Sequence, residues 1–134
     1  MKRTLLLVLA LSLFPAGSAQ AQGPNRRPRT DVAATALGGP NAEGFVEYRL
    51  EVDAVDPDGR INEIIIDFGD GVQLQLLLLC DPETMPVGTP AEQDITWSYA
   101  PGHYTVKAFA YSTPDCFNEP LQRSAPAVAP VNVR

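Results

Sequence analysis

Residues 56–71 read Asp56-Pro57-Asp58-Gly59-Arg60-Ile61-Asn62-Glu63-Ile64-Ile65-Ile66-Asp67-Phe68-Gly69-Asp70-Gly71. Asp at the first turn position, Pro at the second and Gly at the fourth are the preferences of a type I turn, so Asp56–Gly59 reads as one. Between the two Gly-containing stretches, Ile64, Ile66 and Phe68 fall on one face and Ile65 and Asp67 on the other, the period of a β-strand. The strand stops at Gly69-Asp70-Gly71. Asp-Gly between β-rich runs predicts a hairpin with a type I′ turn, whose two central residues need positive φ.

Upstream, Val46, Tyr48, Leu50, Val52 and Ala54 alternate strictly with Glu47, Arg49, Glu51 and Asp53, which predicts a half-buried strand feeding into the first turn. Downstream, Val72, Leu74, Leu76 and Leu78 alternate with Gln73, Gln75, Leu77 and Leu79 up to Cys80. Residues 81–94 hold Pro82, Pro86, Gly88 and Pro90 with no period and read as a long loop. Ile95, Trp97 and Tyr99 form a further strand. Pro101-Gly102 then offers a type II turn, and Tyr104, Val106, Ala108 and Ala110 continue on one face, so these two runs are expected to make a second hairpin. Thr113 to Gln122 reads as a loop, and Val128, Val131 and Val133 as a last strand whose Pro126 and Pro130 place it at a sheet edge.

Six to seven short antiparallel strands, no helical period and turn signals about every ten residues define an all-β sandwich. The 134-residue length fits one domain, and 13 Pro with 10 Gly argue against a helical bundle. A net charge of −6 and a pI near 4.6 argue against nucleic acid, whose phosphates need a basic face.

At the start of the chain, Lys2 and Arg3 precede an apolar run from Leu5 to Phe14, and Ala19-Gln20-Ala21 supplies small residues for cleavage. Residues 1–21 are therefore expected to be a secretory signal peptide, cut after Ala21. No later stretch is long and apolar enough to span a bilayer as a helix, so a secreted or periplasmic protein without a transmembrane segment is expected. Residues 22–44, with Arg26, Arg27 and Arg29 around Pro28 and no apolar period, read as a flexible arm, which leaves 45–134 as the folded domain. Cys80 and Cys116 are the only cysteines, and in an exported chain they are expected to form a disulfide worth on the order of 4 kcal/mol by loop closure. With one His and no CxxC, a zinc site is a poor alternative.

Taken together, Asp56-Pro57-Asp58-Gly59, Ile61, Asp67-Phe68-Gly69-Asp70-Gly71, Tyr99, and Pro101-Gly102 followed by Tyr104-Thr105-Val106 resemble the PKD domain, an Ig-like β-sandwich, over about 45–133. Three features depart from the family pattern. Ile66 stands where the family usually has Trp, Trp97 stands where His is common, and the stretch from Leu76 to Asp94 is long, with a cysteine pair that is no family hallmark. The resemblance implies a spacer or interaction module of extracellular proteins. Standing alone after a signal peptide, such a module is expected to bind a partner or to assemble.

Catalysis has little to work with: Ser98, Ser112 and Ser124 and a single His103 in a turn give no nucleophile–base pair by spacing, so no catalytic residue is assigned and no enzyme activity is expected. Asp67 and Asp70 read as turn-forming acids. Asp56 and Asp58 are the metal candidates, with Asp53, Asp94 and backbone carbonyls as further oxygen donors expected nearby, and similar bacterial PKD domains bind calcium around that turn; no other cofactor is expected. An EF-hand loop is excluded by Arg60 and Ile61 at its Asp/Asn and Gly positions. Phe109 and Tyr111, opposite Val106 and Ala108, and Leu77 and Leu79, opposite Leu76 and Leu78, are candidates for an outward apolar patch of the kind that marks partner sites. The reading is an exported, non-catalytic binding or adhesion module for an extracellular or periplasmic protein or glycan at the cell surface. The alternative is a self-associating structural subunit, a homo-oligomer of the envelope or extracellular matrix.

Overall fold

A computed structural model describes residues 26–117 and 121–134. The expected signal peptide and residues 22–25 lie outside the described residues. Among the described residues eight strands form: β1 (Arg29–Ala36), β2 (Val46–Val55), β3 (Arg60–Asp67), β4 (Gln73–Leu77), β5 (Ala91–Tyr99), β6 (Gly102–Thr113), β7 (Gln122–Arg123) and β8 (Ala127–Val133). They pack as two antiparallel sheets, a three-stranded one in the order β1-β2-β5 and a five-stranded one in the order β4-β3-β6 with β7 and β8 both on the far side of β6. No helix among the described residues is long and apolar enough to cross a membrane.

The alternation read from the sequence sets the core. Val46, Tyr48, Leu50, Val52 and Ala54 of β2 point inward and meet Ile64, Ile66, Val106, Ala108, Ala110 and Val131 of the other sheet. Each fully buried Leu, Ile or Val contributes about 1.5–3 kcal/mol of transfer free energy. Ile61 and Ile64 are both buried although three residues apart, because a register shift between Ile61 and Glu63 inserts one residue and flips the parity of β3. Tyr99 is buried as well. Its hydroxyl donates to the Phe68 carbonyl (3.1 Å), its ring meets Tyr48 edge-on at 5.7 Å, and the Tyr104 hydroxyl donates to Ala100 (2.9 Å). Trp97 lies flat on Phe68, centroids 4.0 Å apart, and its Nε1 donates to Asp70 Oδ2 (2.9 Å).

Four expectations need correction. Residues 29–36 are not part of a flexible arm: β1 pairs with β2 over Arg29↔Val55 to Ala36↔Tyr48, and the fold begins well before residue 45. Its inward residues, Val32 and Ala34, are too small to show a strong period, and the backbone ladder that covers the β2 edge supplies what the side chains lack. The segment is anchored from Arg26 onward, since Arg26 N donates to Asp58 Oδ2 (2.7 Å), Pro28 is buried and Thr30 Oγ1 bonds Ser124 Oγ (2.8 Å). Second, β5 and β6 are not a hairpin, because Pro101 carries the chain from one sheet to the other. Third, the β3–β4 hairpin closes through three residues between Phe68 and Val72, with positive φ at Gly69 and Gly71 and not at Asp70, so it is no type I′ turn. Gly69 has no substitute there: a Cβ would sit 2.6 Å from the Thr105 carbonyl oxygen. Last, the long loop ends at β5, which begins at Ala91.

Cys80 and Cys116 form the expected disulfide, with Cα atoms 5.4 Å apart. Arg60 ties the same region together: Nε donates to Met85 O (2.6 Å) and Nη1 to Pro114 O, while Gly88 N donates to Gly59 O (2.9 Å). The loop therefore packs against the first turn and against the segment after β6.

Candidate functional site

The two outer faces of the sandwich differ in chemistry. Because β3 pairs with both β4 and β6, residues of alternate parity line up in rows across the five-stranded sheet. One row is Leu77, Glu63, Tyr111 and Arg123; the next is Gln75, Ile65 and Phe109; a third is Gln73, Asp67, Lys107 and Val128. Leu77 is 76% exposed and Val128 60%, while Ile65, Phe109 and Tyr111 are half-buried by their neighbours. Phe109 and Tyr111 contact edge to face, 6.0 Å between centroids at 74°, and the Arg123 guanidinium stands 5.4 Å over the Phe109 ring. Asp67, Lys107, Phe109, Arg123 and Pro126 line a concavity of about 160 Å³. Gln75 donates to Glu63, which holds both polar side chains at the edge of the apolar row. Leu79 (90% exposed) and Phe117 (80%) are further exposed apolar side chains, each adjacent in sequence to one half of the disulfide.

The face of the three-stranded sheet is acidic. Asp31, Asp53 and Glu92 stand in one cross-strand row and Glu51 and Asp94 in the next, around an open groove of about 490 Å³. Arg49 is the one cation lining that groove. Its Nη2 lies 2.5 Å from Asp94 Oδ2 and 3.2 Å from Glu51 Oε1, and its hydrogen bond holds the Asp94 carboxyl below the usual carboxylate range and raises the guanidinium in turn.

No sequence-family model matches the chain, and neither does any curated protein. A solved structure does: the PKD domain of an M14-like peptidase from Thermoplasmatales archaeon SCGC AB-540-F20 aligns over 81% of this chain and 97% of its own length, with a TM-score of 0.52 and 19% sequence identity. The chain has a PKD-like fold.

Within this PKD-like domain the first turn is more enclosed than its sequence suggests. Asp56 is 3% exposed and its Oδ1 accepts from Asp58 N (3.0 Å), while the exposed Asp58 accepts from Arg26 N (2.7 Å). Asp56, Asp58, Ser112 and Gln122 border a cavity of about 10 Å³, room for one water-sized sphere. Ser112 Oγ and Gln122 Oε1 are buried there with no protein hydrogen-bond partner. The turn thus gathers carboxylate, hydroxyl and amide oxygens, although no three His, Cys, Asp or Glu side chains gather as a metal cluster among the described residues. Asp53 and Asp94 do not join it and sit on the acidic face instead.

The other two serines and the histidine lie elsewhere. Ser124 Oγ accepts from Ala110 N (2.9 Å), Ser98 is exposed on the acidic sheet, and His103 Nδ1 lies 2.6 Å from Asn132 Oδ1 at the β6–β8 edge. Asp67 and Asp70 shape the hairpin, accepting from Gly69 N (2.9 Å) and Val72 N (3.0 Å). The outward placement of Leu77, Phe109 and Tyr111 follows the parity of their strands, and Leu79 is exposed just past the end of β4. Ile65 and Arg123 join them only through cross-strand register, which no single strand's pattern contains.

Proposed function

We propose that this PKD-like domain is an exported, non-catalytic binding module that takes a protein partner at the cell surface on the outer face of its five-stranded sheet. The observation that carries the reading is the apolar patch of Leu77, Ile65, Phe109, Tyr111 and Val128, spread over three adjacent cross-strand rows on four strands, with Ile65 and Phe109 at its centre and Gln75, Glu63, Lys107 and Arg123 around them. An apolar centre with a polar rim is the anatomy of a protein interface. A glycan is the less favoured ligand: two rings inclined at 74° do not form one plane on which neighbouring sugar rings could stack. The disulfide supports an oxidising compartment.

A photo-crosslinking residue placed at Tyr111, compared with one at Ser98 on the opposite outer face, tests the reading. The expected result is a recurrent protein adduct from Tyr111 alone. Equal labelling from both faces, or release of the ligand by soluble glycan, would count against it.

We also retain calcium at Asp56 and Asp58 as a proposal. Those two carboxylates, the Ser112 hydroxyl and the Gln122 amide oxygen would hold it, with water completing the six to eight oxygens that calcium takes. A bound ion would neutralise the buried Asp56 and fasten the first turn to the end of β6. Melting with millimolar Ca²⁺ and with chelator decides the matter, because binding to the native state must raise the midpoint. Equal midpoints remove calcium from the turn.

A further inference from the structure

We infer that β4 is a self-association edge, and that two copies of this chain join antiparallel through it into one continuous sheet. The unpaired strands at the sheet margins are not alike. β5 carries Glu92 and Asp94, β1 carries Arg29 and Asp31, β8 carries Pro130, and β7 is two residues long. These are the devices that keep edges from pairing with other chains. β4 has none of them. From Gly71 to Cys80 there is no charge and no Pro, and past the hairpin glycine no further Gly, yet Leu77 and Leu79 are among the most exposed apolar side chains.

The ladder shows which backbone groups are free. Phe68 N donates to Val72 O (3.0 Å) and Leu78 N to Asn62 O (2.9 Å), so the even-numbered residues of this stretch bond to β3. In an antiparallel pair the alternate residues then direct N–H and C=O away from the neighbour. Within β4 those residues are Gln73, Gln75 and Leu77, and Leu79 continues the same alternation just past the end of the strand.

A second copy is the occupant that fits because the strand complements itself. A two-fold axis at Leu76 sets Gln75 against Leu77 and Gln73 against Leu79 as hydrogen-bonded pairs, each occurring twice by symmetry. On the inner layer the same register sets Leu74 against Leu78 and Leu76 against itself. Leu74, Leu76 and Leu78 are only partly buried in the single chain, so this contact completes their burial. The net charge of −6 disfavours contact between copies elsewhere, above all through the acidic sheet, whereas this edge brings no charged residue of the paired stretch against its copy. A two-fold contact of this kind is isologous and closes at two chains. The dimer does not rest on the partner proposed above, although it would place two copies of that face on one sheet.

The test is light scattering of the purified protein from micromolar to millimolar concentration, with amide exchange read at both ends. The expected result is a rise from one-chain to two-chain mass, with slowed exchange at Gln73, Gln75 and Leu77 in the dimer only. Gln75→Pro removes an edge-facing N–H together with the side-chain bond to Glu63, while Gln75→Lys keeps a partner in Glu63 and places a charge at the edge. Each is expected to return the protein to one-chain mass with its near-UV spectrum intact, whereas Gln93→Lys on β5 leaves the dimer unchanged. One-chain mass at millimolar concentration, growth beyond two chains, or a dimer that survives Gln75→Lys would overturn the inference.

Discussion

Replacing Gly59 by Ala probes the tightest point of the first turn. Gly59 has no unusual φ, so Ala is allowed by the backbone, and reduced unfolded-state entropy alone would stabilise by about 0.4–1 kcal/mol. The surroundings oppose it. A Cβ at residue 59 would stand 2.6 Å from Asp56 Oδ2, 3.2 Å from its Cγ and 3.1 Å from the Thr113 carbonyl oxygen. The Asp56 carboxylate is buried and bonded to Asp58 N, so it can retreat only by giving up that bond. Overpacking costs about 1–3 kcal/mol and a lost hydrogen bond to a charged group about 1.5–3 kcal/mol; after the entropy gain, a net loss of about 1.5–5.5 kcal/mol is expected. Urea unfolding reads it as a lower midpoint at unchanged slope. Two further glycines calibrate the effect. Gly38 has open space and an ordinary φ, so Gly38→Ala should be neutral or slightly stabilising; Gly71 has open space but φ of +96°, so Gly71→Ala reports strain alone. In an Asp56→Ala background the cost of Gly59→Ala should fall by more than 1 kcal/mol, the signature of residues in direct contact. A stabilising Gly59→Ala, or a cost unchanged in that background, would refute the packing argument.

Tyr99 gives an alkaline limb. Burial, then the nearby Asp70, holds its hydroxyl far above the ordinary tyrosine value of 10.0, so its contribution is intact below pH ~10 and is lost as pH rises and the unfolded chain ionises first. Tyr99→Phe should be less stable at pH 8, where it lacks the bond to Phe68, yet lose less between pH 8 and 10.5 in urea titrations. Reducing Cys80–Cys116 should cost about 2–4 kcal/mol, seen by calorimetry as a midpoint lower by on the order of 15 °C. Asp94, held below its ordinary range by Arg49, favours the fold above the unfolded carboxylate pKa and stops doing so as pH falls through its depressed value. The pair is exposed, so Arg49→Gln should shift acid unfolding slightly and only at low salt.

Strands with strong contrast were legible residue by residue. β2 alternates large apolar against charged side chains, so its inward face follows from parity alone, and parity likewise points Ile64 and Ile66 inward in the part of β3 beyond its bulge. β1 was not legible, because Thr30, Val32 and Ala34 face Arg29, Asp31, Ala33 and Thr35 with little difference in hydrophobicity, and its place is set by backbone pairing with β2. The separation of β5 from β6 was hidden for another reason. Pro101-Gly102 specifies a change of direction, and the sheet that each flanking strand joins depends on partners more than forty residues away in sequence, such as Tyr48 for Trp97. The candidate site divides in the same way. Parity alone points Leu77, Phe109 and Tyr111 outward, whereas the bulge between Ile61 and Glu63 fixes the register that puts Glu63 beside Tyr111.

The two faces also make opposite demands on ionic strength. Asp31, Asp53 and Glu92 are cross-strand neighbours of like charge, an arrangement that opposes pairing and is tolerated because the row is exposed to solvent. A cationic ligand on that face would associate quickly at low salt and slow steeply as the Debye length shrinks to about 8 Å at physiological ionic strength. The proposed face balances Asp67 with Lys107 and Glu63 with Arg123 around an apolar patch, so it offers no net field to steer an encounter. Association through it should change less than about threefold between 50 and 500 mM salt and should weaken mainly in the off-rate when Leu77 or Tyr111 is truncated. Stopped-flow association with the partner captured at Tyr111 measures both. A steep fall of the on-rate with salt, unaffected by Leu77→Ala, would move the binding surface to the acidic sheet.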